Sequence, residues 1–211
     1  MIRHLLQLIW NQRKQNAWLW AELLLVSVFL WFLVDYLYVM GRTYTAPLGF
    51  DIRHTYSIVI SSLSERSPDY IPKEKRERPD GVHLLTALDR IRTYPGVESA
   101  CLTDGGMPYY MGSRNLVWRI DTLQVPCRYA FVTPEFFDVF RIYDKDGKTA
   151  SLKRAIEDNN SIVISADVET MNPGLSLLGQ KAYRGNVTDE IEETIRGISV
   201  PIRRHEYTKA E

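Results

Sequence analysis

A run of twenty residues near the N-terminus, residues 21–40, constrains this chain more than any other segment. Seventeen of the twenty are apolar, and only Glu22, Ser27 and Asp35 interrupt them. At about 1.5 Å of rise per residue, a helix of that length reaches roughly 30 Å, the thickness of a bilayer's hydrocarbon core. The two acids do not reverse the balance. Glu22 lies at the rim of the run, and Asp35 costs at most ~3 kcal/mol, whereas each Leu, Val or Phe in the run returns about 0.3 to 0.6 kcal/mol. The pattern predicts a transmembrane helix over residues 19–41 with Glu22 and Asp35 as its intramembrane polar residues. An acid at such depth faces protein or an interface rather than lipid.

Orientation follows from the flanks. Arg3, Arg13 and Lys14 precede the run, and short basic stretches stay in the cytoplasm, so residues 1–18 are expected inside and residues 42–211 outside. A cleaved signal peptide is the competing reading, but it calls for an apolar core of about 7 to 15 residues and a small-residue cut site. Here the lead is long, and Tyr44-Thr45-Ala46-Pro47 is a poor place to cut. Within the lead, Ile2, Leu5, Leu6 and Ile9 recur at helical spacing and Trp10 extends the stripe. This predicts an amphipathic helix lying on the inner leaflet. Trp18 and Trp20 on one side, and Tyr36 and Tyr38 on the other, sit where an aromatic belt belongs.

The remainder reads as an α+β domain without a chemical motif. Twenty-six basic and 26 acidic residues give a formal net charge of zero, which leaves no basic field to attract nucleic acid. Cys101 and Cys127 are the only cysteines, too few for a disulfide scaffold although one pair is conceivable. His4, His54, His83 and His205 are scattered without ligand spacing, so no metal site is expected. No phosphate loop, nucleophile elbow, dinucleotide fingerprint or zinc-protease motif occurs. Neither an enzyme nor a cofactor is expected.

Coarse organisation comes from periodicity and punctuation. Residues 56–60, with Ile58-Val59-Ile60, predict a buried strand, followed by a proline-rich, mixed-charge loop over 64–79. Asp80 is expected to cap a helix bearing Val82, Leu84, Leu85, Leu88 and Ile91, ended by Pro95-Gly96; a strand over 97–102 would complete a split β-α-β lobe. Beyond Gly105-Gly106, residues 116–120 and 125–132 predict paired strands, Pro126 marking an edge or a bulge. Thr133 is expected to cap a helix begun by Pro134 and lined by Phe136, Phe137, Val139 and Phe140, with Glu135 and Asp138 suiting its positive end. Strands over 161–165 and 194–202, with a short helix over 166–171 and an Asn172-Pro173-Gly174 turn between them, close the reading.

In order, these pieces resemble the beginning of a MacB/FtsX-type ABC transporter permease of the kind found in Bacteroides-type bacteria. The resemblance is carried by Ile9-Trp10-Asn11-Gln12-Arg13-Lys14, Glu22-Leu23-Leu24-Leu25-Val26, Asp35-Tyr36 and Tyr94-Pro95-Gly96-Val97-Glu98, then by Val132-Thr133-Pro134-Glu135-Phe136-Phe137-Asp138-Val139-Phe140, Ile162-Val163-Ile164-Ser165, Leu178-Gly179-Gln180-Lys181 and Ile195-Arg196-Gly197-Ile198. It implies a two-lobed periplasmic domain, a porter-like β-α-β lobe plus an inserted β-rich lobe, in residues 42–211. It also implies a permease dimer in the inner membrane, a separate cytoplasmic ABC ATPase subunit as partner, and transmission of that ATPase's strokes for export or efflux. Such permeases carry further membrane helices, so a chain with one apolar run is expected to be an N-terminal fragment or a truncated product. The alternative is a single-pass membrane-anchored periplasmic binding or assembly protein.

Overall fold

The apolar run is carried on one long helix, α1 (Ala17–Thr45), which extends beyond the run at both ends. The computed structural model describes residues 3, 4, 7, 10, 14, 17–61, 63–72, 75–76, 79–110, 114–184 and 190–208. Among these, α1 is the one helix long and apolar enough to span a membrane, with a mean hydropathy of 2.2 in its best window. Every residue from 17 to 39 is exposed. The helix ends where Thr45 Oγ1 donates to the Gly41 carbonyl at 3.0 Å, and Arg42 in the last turn suits the negative end of the helix dipole. The stripe Ile2, Leu5, Leu6 and Ile9 expected to form the amphipathic lead lies outside the described residues.

The chain divides into two compact units, Met1–Ala46 and Pro47–Glu211. The second unit is mixed α and β, built on a five-stranded sheet. Its elements are α2 (Asp80–Arg92), β1 (Thr103–Asp104), β2 (Arg114–Ile120), β3 (Leu123–Tyr129), β4 (Phe131–Val132), α3 (Phe136–Val139), α4 (Ala150–Ala155), β5 (Ser161–Ser165), α5 (Asp167–Met171), β6 (Lys181–Arg184) and β7 (Ile191–Ser199). The large sheet has the order β3-β2-β6-β7-β5, and β1 pairs with β4 in a separate ribbon. All neighbours in the large sheet run antiparallel except β5 and β7, which are parallel.

Local chemistry explains most of these elements. Strands β2 and β3 join through the two residues Asp121-Thr122, since Ile120 pairs with Leu123. Asp121 adopts φ +54°, a left-handed conformation that Asp tolerates better than most residues. Pro126 falls in β3, the outermost strand, as its missing N–H requires. Alternation then sorts side chains by face. Trp118 opposes Val125 and Leu116 opposes Cys127, and this face carries a core of Trp118, Ile120, Leu177, Ala182 and Ile195. A second core gathers Phe136, Phe137, Phe140, Ile142 and Leu152. Strand β5 serves both, for Ile162 and Ile164 pack on the first while Val163 packs on the second. A Cβ on Gly197 would meet Val163 Cγ2 at 2.9 Å and Ala155 Cβ at 3.1 Å, so the absence of a side chain there lets α4 settle on the sheet.

Several expectations are corrected. Residues 56–60 form no strand, and Tyr56 and Val59 are 86% and 85% exposed. An apolar run supplies strand-prone side chains, but a strand also needs a neighbour's N–H and C=O groups, and among the described residues none pairs with it. The strand expected over 97–102 is absent too; pairing begins only at Thr103, which faces Val132. The helix between them is present, but with Pro79 at its N-cap and Asp80 already inside the first turn, where its carboxylate meets Arg76 at 2.6 Å instead of a backbone amide. Thr133 does not cap either. Its hydroxyl accepts the Leu102 N–H at 3.1 Å while its own N–H donates to the Leu102 carbonyl at 3.0 Å, continuing the β1–β4 ladder by one residue. The final strand starts and stops three residues early, at Ile191 and Ser199, because β6 recruits its first residues and the Val200 N–H turns away to the Tyr143 carbonyl.

Candidate functional site

The two polar residues singled out in the apolar run are not brought together. Glu22 and Asp35 both lie on α1, and thirteen residues at 3.6 per turn place them about 140° apart around the axis. They cannot share a partner on one face.

In the second unit the acids near Phe136 do more than suit a helix end. Glu135 Oε2 lies 2.5 Å from Arg92 Nη2, each side chain about one-third exposed. Arg92 Nε also donates to the Ala100 carbonyl at 3.1 Å. Asp138 accepts from Lys153 Nζ at 2.5 Å and from Thr149 Oγ1 at 2.7 Å. Partial burial pushes the Asp138 carboxyl up, but the hydrogen bonds from Lys153 and Thr149 outweigh it and hold the group below its ordinary value. These are tethers between α2, α3 and α4.

Cys101 and Cys127 are both free and half-buried, Cys101 packing against the second core and Cys127 against the first. Burial pushes the Cys127 thiol up to about 11, and burial with the nearby Glu135 does the same for Cys101, Arg92 opposing in part. Thiols held protonated are poor nucleophiles and poor metal ligands. Among the described residues, no group of three or more His, Cys, Asp or Glu residues could hold a metal ion.

Among the described residues, one cavity of about 490 Å³ lies between the apolar face of the sheet and the segments around Phe50, Gly105, Met107, Phe136 and Ile202. Its floor is Trp118, Val125 and Cys127 from the β2–β3 hairpin and Ile162 and Ile164 from β5. Topology puts the start of β5, the start of β7 and the end of β6 at one end of the sheet. Ser161, Glu193 and Arg184 line the cavity there. Glu193 is 8% exposed and is bound to Arg184 at 3.2 Å. Sequence reading did not find this cavity. The only signal for it was the recurrence of Leu116, Trp118 and Ile120, and of Val125 and Cys127, at every second position, and that says which face is apolar but not that the facing layer stands off it.

No family model and no curated protein matches the chain. A solved domain of a proposed permease protein from Porphyromonas gingivalis is similar in structure, with 18% sequence identity and a TM-score of 0.44, covering 59% of this chain and 48% of that one. The chain therefore spans about half the length of that domain, and so distant a likeness assigns nothing.

Proposed function

We propose that the chain belongs to a MacB/FtsX-type permease subunit of an ABC transporter. Helix α1 crosses the bacterial inner membrane with residues 1–18 in the cytoplasm, and the unit from Pro47 onward forms a two-lobed periplasmic domain. The subunit dimerises and couples a separate cytoplasmic ATPase to movements of that domain for export or efflux. It performs no chemistry itself.

The observation that carries this reading is α1, 29 residues long and exposed along the apolar run, behind the basic residues Arg3, Arg13 and Lys14 and ahead of the motif order that resembles the family. A helix apolar all round belongs in lipid or in a large core, and the first is the simpler reading when none of its residues is buried. The test is co-purification of the full-length gene product, in mild detergent, with an ATPase, together with loss of export when that ATPase is inactivated. Recovery without any ATPase would instead support a single-pass, membrane-anchored periplasmic binding protein, the reading that the cavity over Trp118 favours.

A further inference from the structure

One pentapeptide occurs twice in this chain: Ser57-Ile58-Val59-Ile60-Ser61 and Ser161-Ile162-Val163-Ile164-Ser165 are identical. The later occurrence is β5, paired in parallel with β7. The earlier one is exposed at every residue and belongs to no strand. Its Ile58 and Ile60 border a groove beside Leu84 and Phe131, yet remain 64% and 50% exposed. The same side chains form a strand in one place and not in the other, so what the earlier segment lacks is a neighbour and not propensity.

Strand β5 has room for one. It is the last strand of its sheet, so one edge is open. The Thr194 N–H donates to the Asn160 carbonyl at 2.8 Å, and the Ala166 N–H to the Ser199 carbonyl at 3.0 Å. Bonds to one neighbour fall on alternate residues of a parallel strand, so Ile162 and Ile164 bond to β7 while Val163 and Ser165 turn their N–H and C=O groups to the open edge. Among the described residues, no other backbone group bonds to them there. The cavity over Trp118 reaches this edge. All five residues of β5 line it, although their side chains alternate between faces, and so do Ile120 of the first core and Phe137 of the second. A hollow bordered by both layers and by every residue of an outer strand passes round that strand's edge.

We propose that residues 57–61 of a second copy of this chain add as a strand to the open edge of β5. The pentapeptide reads the same in both directions, so in either orientation Val59 falls beside Val163 and isoleucine beside isoleucine, and matched β-branched side chains pack well across neighbouring strands. Main-chain bonds to Val163 and Ser165 give affinity, and the alternating side chains give specificity. When each copy donates its segment and receives the other's, the contact closes as a dimer. This adds a contact surface to the permease dimer, and its failure would leave co-purification with an ATPase untouched.

The full chain, with Cys101→Ser and Cys127→Ser throughout, is co-expressed in two differently tagged forms, one carrying Val59→Cys and the other Val163→Cys, and oxidised in mild detergent with copper phenanthroline. The expected product is a disulfide-linked pair bearing both tags. Adding Ile58→Pro to the first form, which removes one N–H from an exposed segment, should lower its yield at least fivefold. Val117→Cys on β2, 51% exposed, should give little product in place of Val163→Cys. A second measurement leaves β5 unaltered: amide exchange at Val163 and Ser165 should be at least fivefold faster in Val59→Lys than in the parent. Equal exchange rates, or equal cross-linking to Val117 and Val163, would overturn the strand addition. A link that forms only when both cysteines sit in one chain would overturn the second copy as the donor.

Discussion

Arg92, in the last turn of α2, places Nη2 2.5 Å from Glu135 Oε2 at the entrance to α3, and the same guanidinium donates to the Ala100 carbonyl. One side chain thus fixes a helix to two separate segments. Partly exposed ion pairs fall between surface pairs, worth about 0.2 to 1 kcal/mol, and buried pairs, whose rupture costs about 3 to 5. Arg92→Ala should cost about 1 to 2 kcal/mol in urea unfolding. Glu135→Gln should cost less, because the bond to Ala100 survives it; equal losses would show that the carbonyl contact contributes nothing.

Leu88 is the buried residue of α2, at 4% exposure. Replacing it with Asp puts an unpaired charge where apolar contact holds the helix, and the cost should be several kcal/mol. Thermal unfolding measures this directly. Leu85, 53% exposed on the same helix, should accept Asp with a change within about 0.5 kcal/mol.

Acid should weaken the fold partly through Asp138. Its carboxyl titrates below the ordinary value because the bonds from Lys153 and Thr149 exceed the effect of burial. A carboxyl depressed in the folded state stabilises above the unfolded value of about 3.9, and that contribution is lost as pH falls through the folded value. Asp138→Asn should therefore be less stable than the parent at neutral pH, and its stability should fall less steeply below about pH 4. Parallel stability curves for parent and variant would rule this group out.

Gly49 has φ +82°, and a Cβ there would lie 2.0 Å from the Pro201 carbonyl oxygen. Neither obstacle can yield by moving a side chain. Gly49→Ala should destabilise by about 1 to 3 kcal/mol. It should also speed amide exchange at Arg203, whose N–H donates to Leu48 beside it.

Strand β5 and the β2–β3 hairpin were legible because their signals are local. Ser161–Ser165 is a β-branched run between polar turns, and the Pro126 edge position follows from the chemistry of one residue. Strand β6 was missed because Lys181-Ala182-Tyr183-Arg184 is charged at both ends and only Ala182 is buried. Helix α4, six residues long, is too short for a 3.6-residue period to declare itself. The error at residues 56–60 runs the other way, since composition reports the readiness of a segment to pair and is silent on whether a neighbour is present. The cavity was invisible for a similar reason: its walls come from Phe50, Trp118, Phe136, Ser161 and Ile202, and no sequence window contains two of its sides.

Pro126 in β3 also bears on how copies of this protein meet. An outermost strand normally offers a row of donors and acceptors on which another molecule's strand can polymerise. At Pro126 one donor is missing, so a foreign strand laid along β3 would find the row broken at its middle. The sheet is thereby protected from molecule-to-molecule growth at that margin, and the protection should matter most when many copies are held close together. Replacing Pro126 with Val would restore the donor, and with it the hazard of edge-driven aggregation.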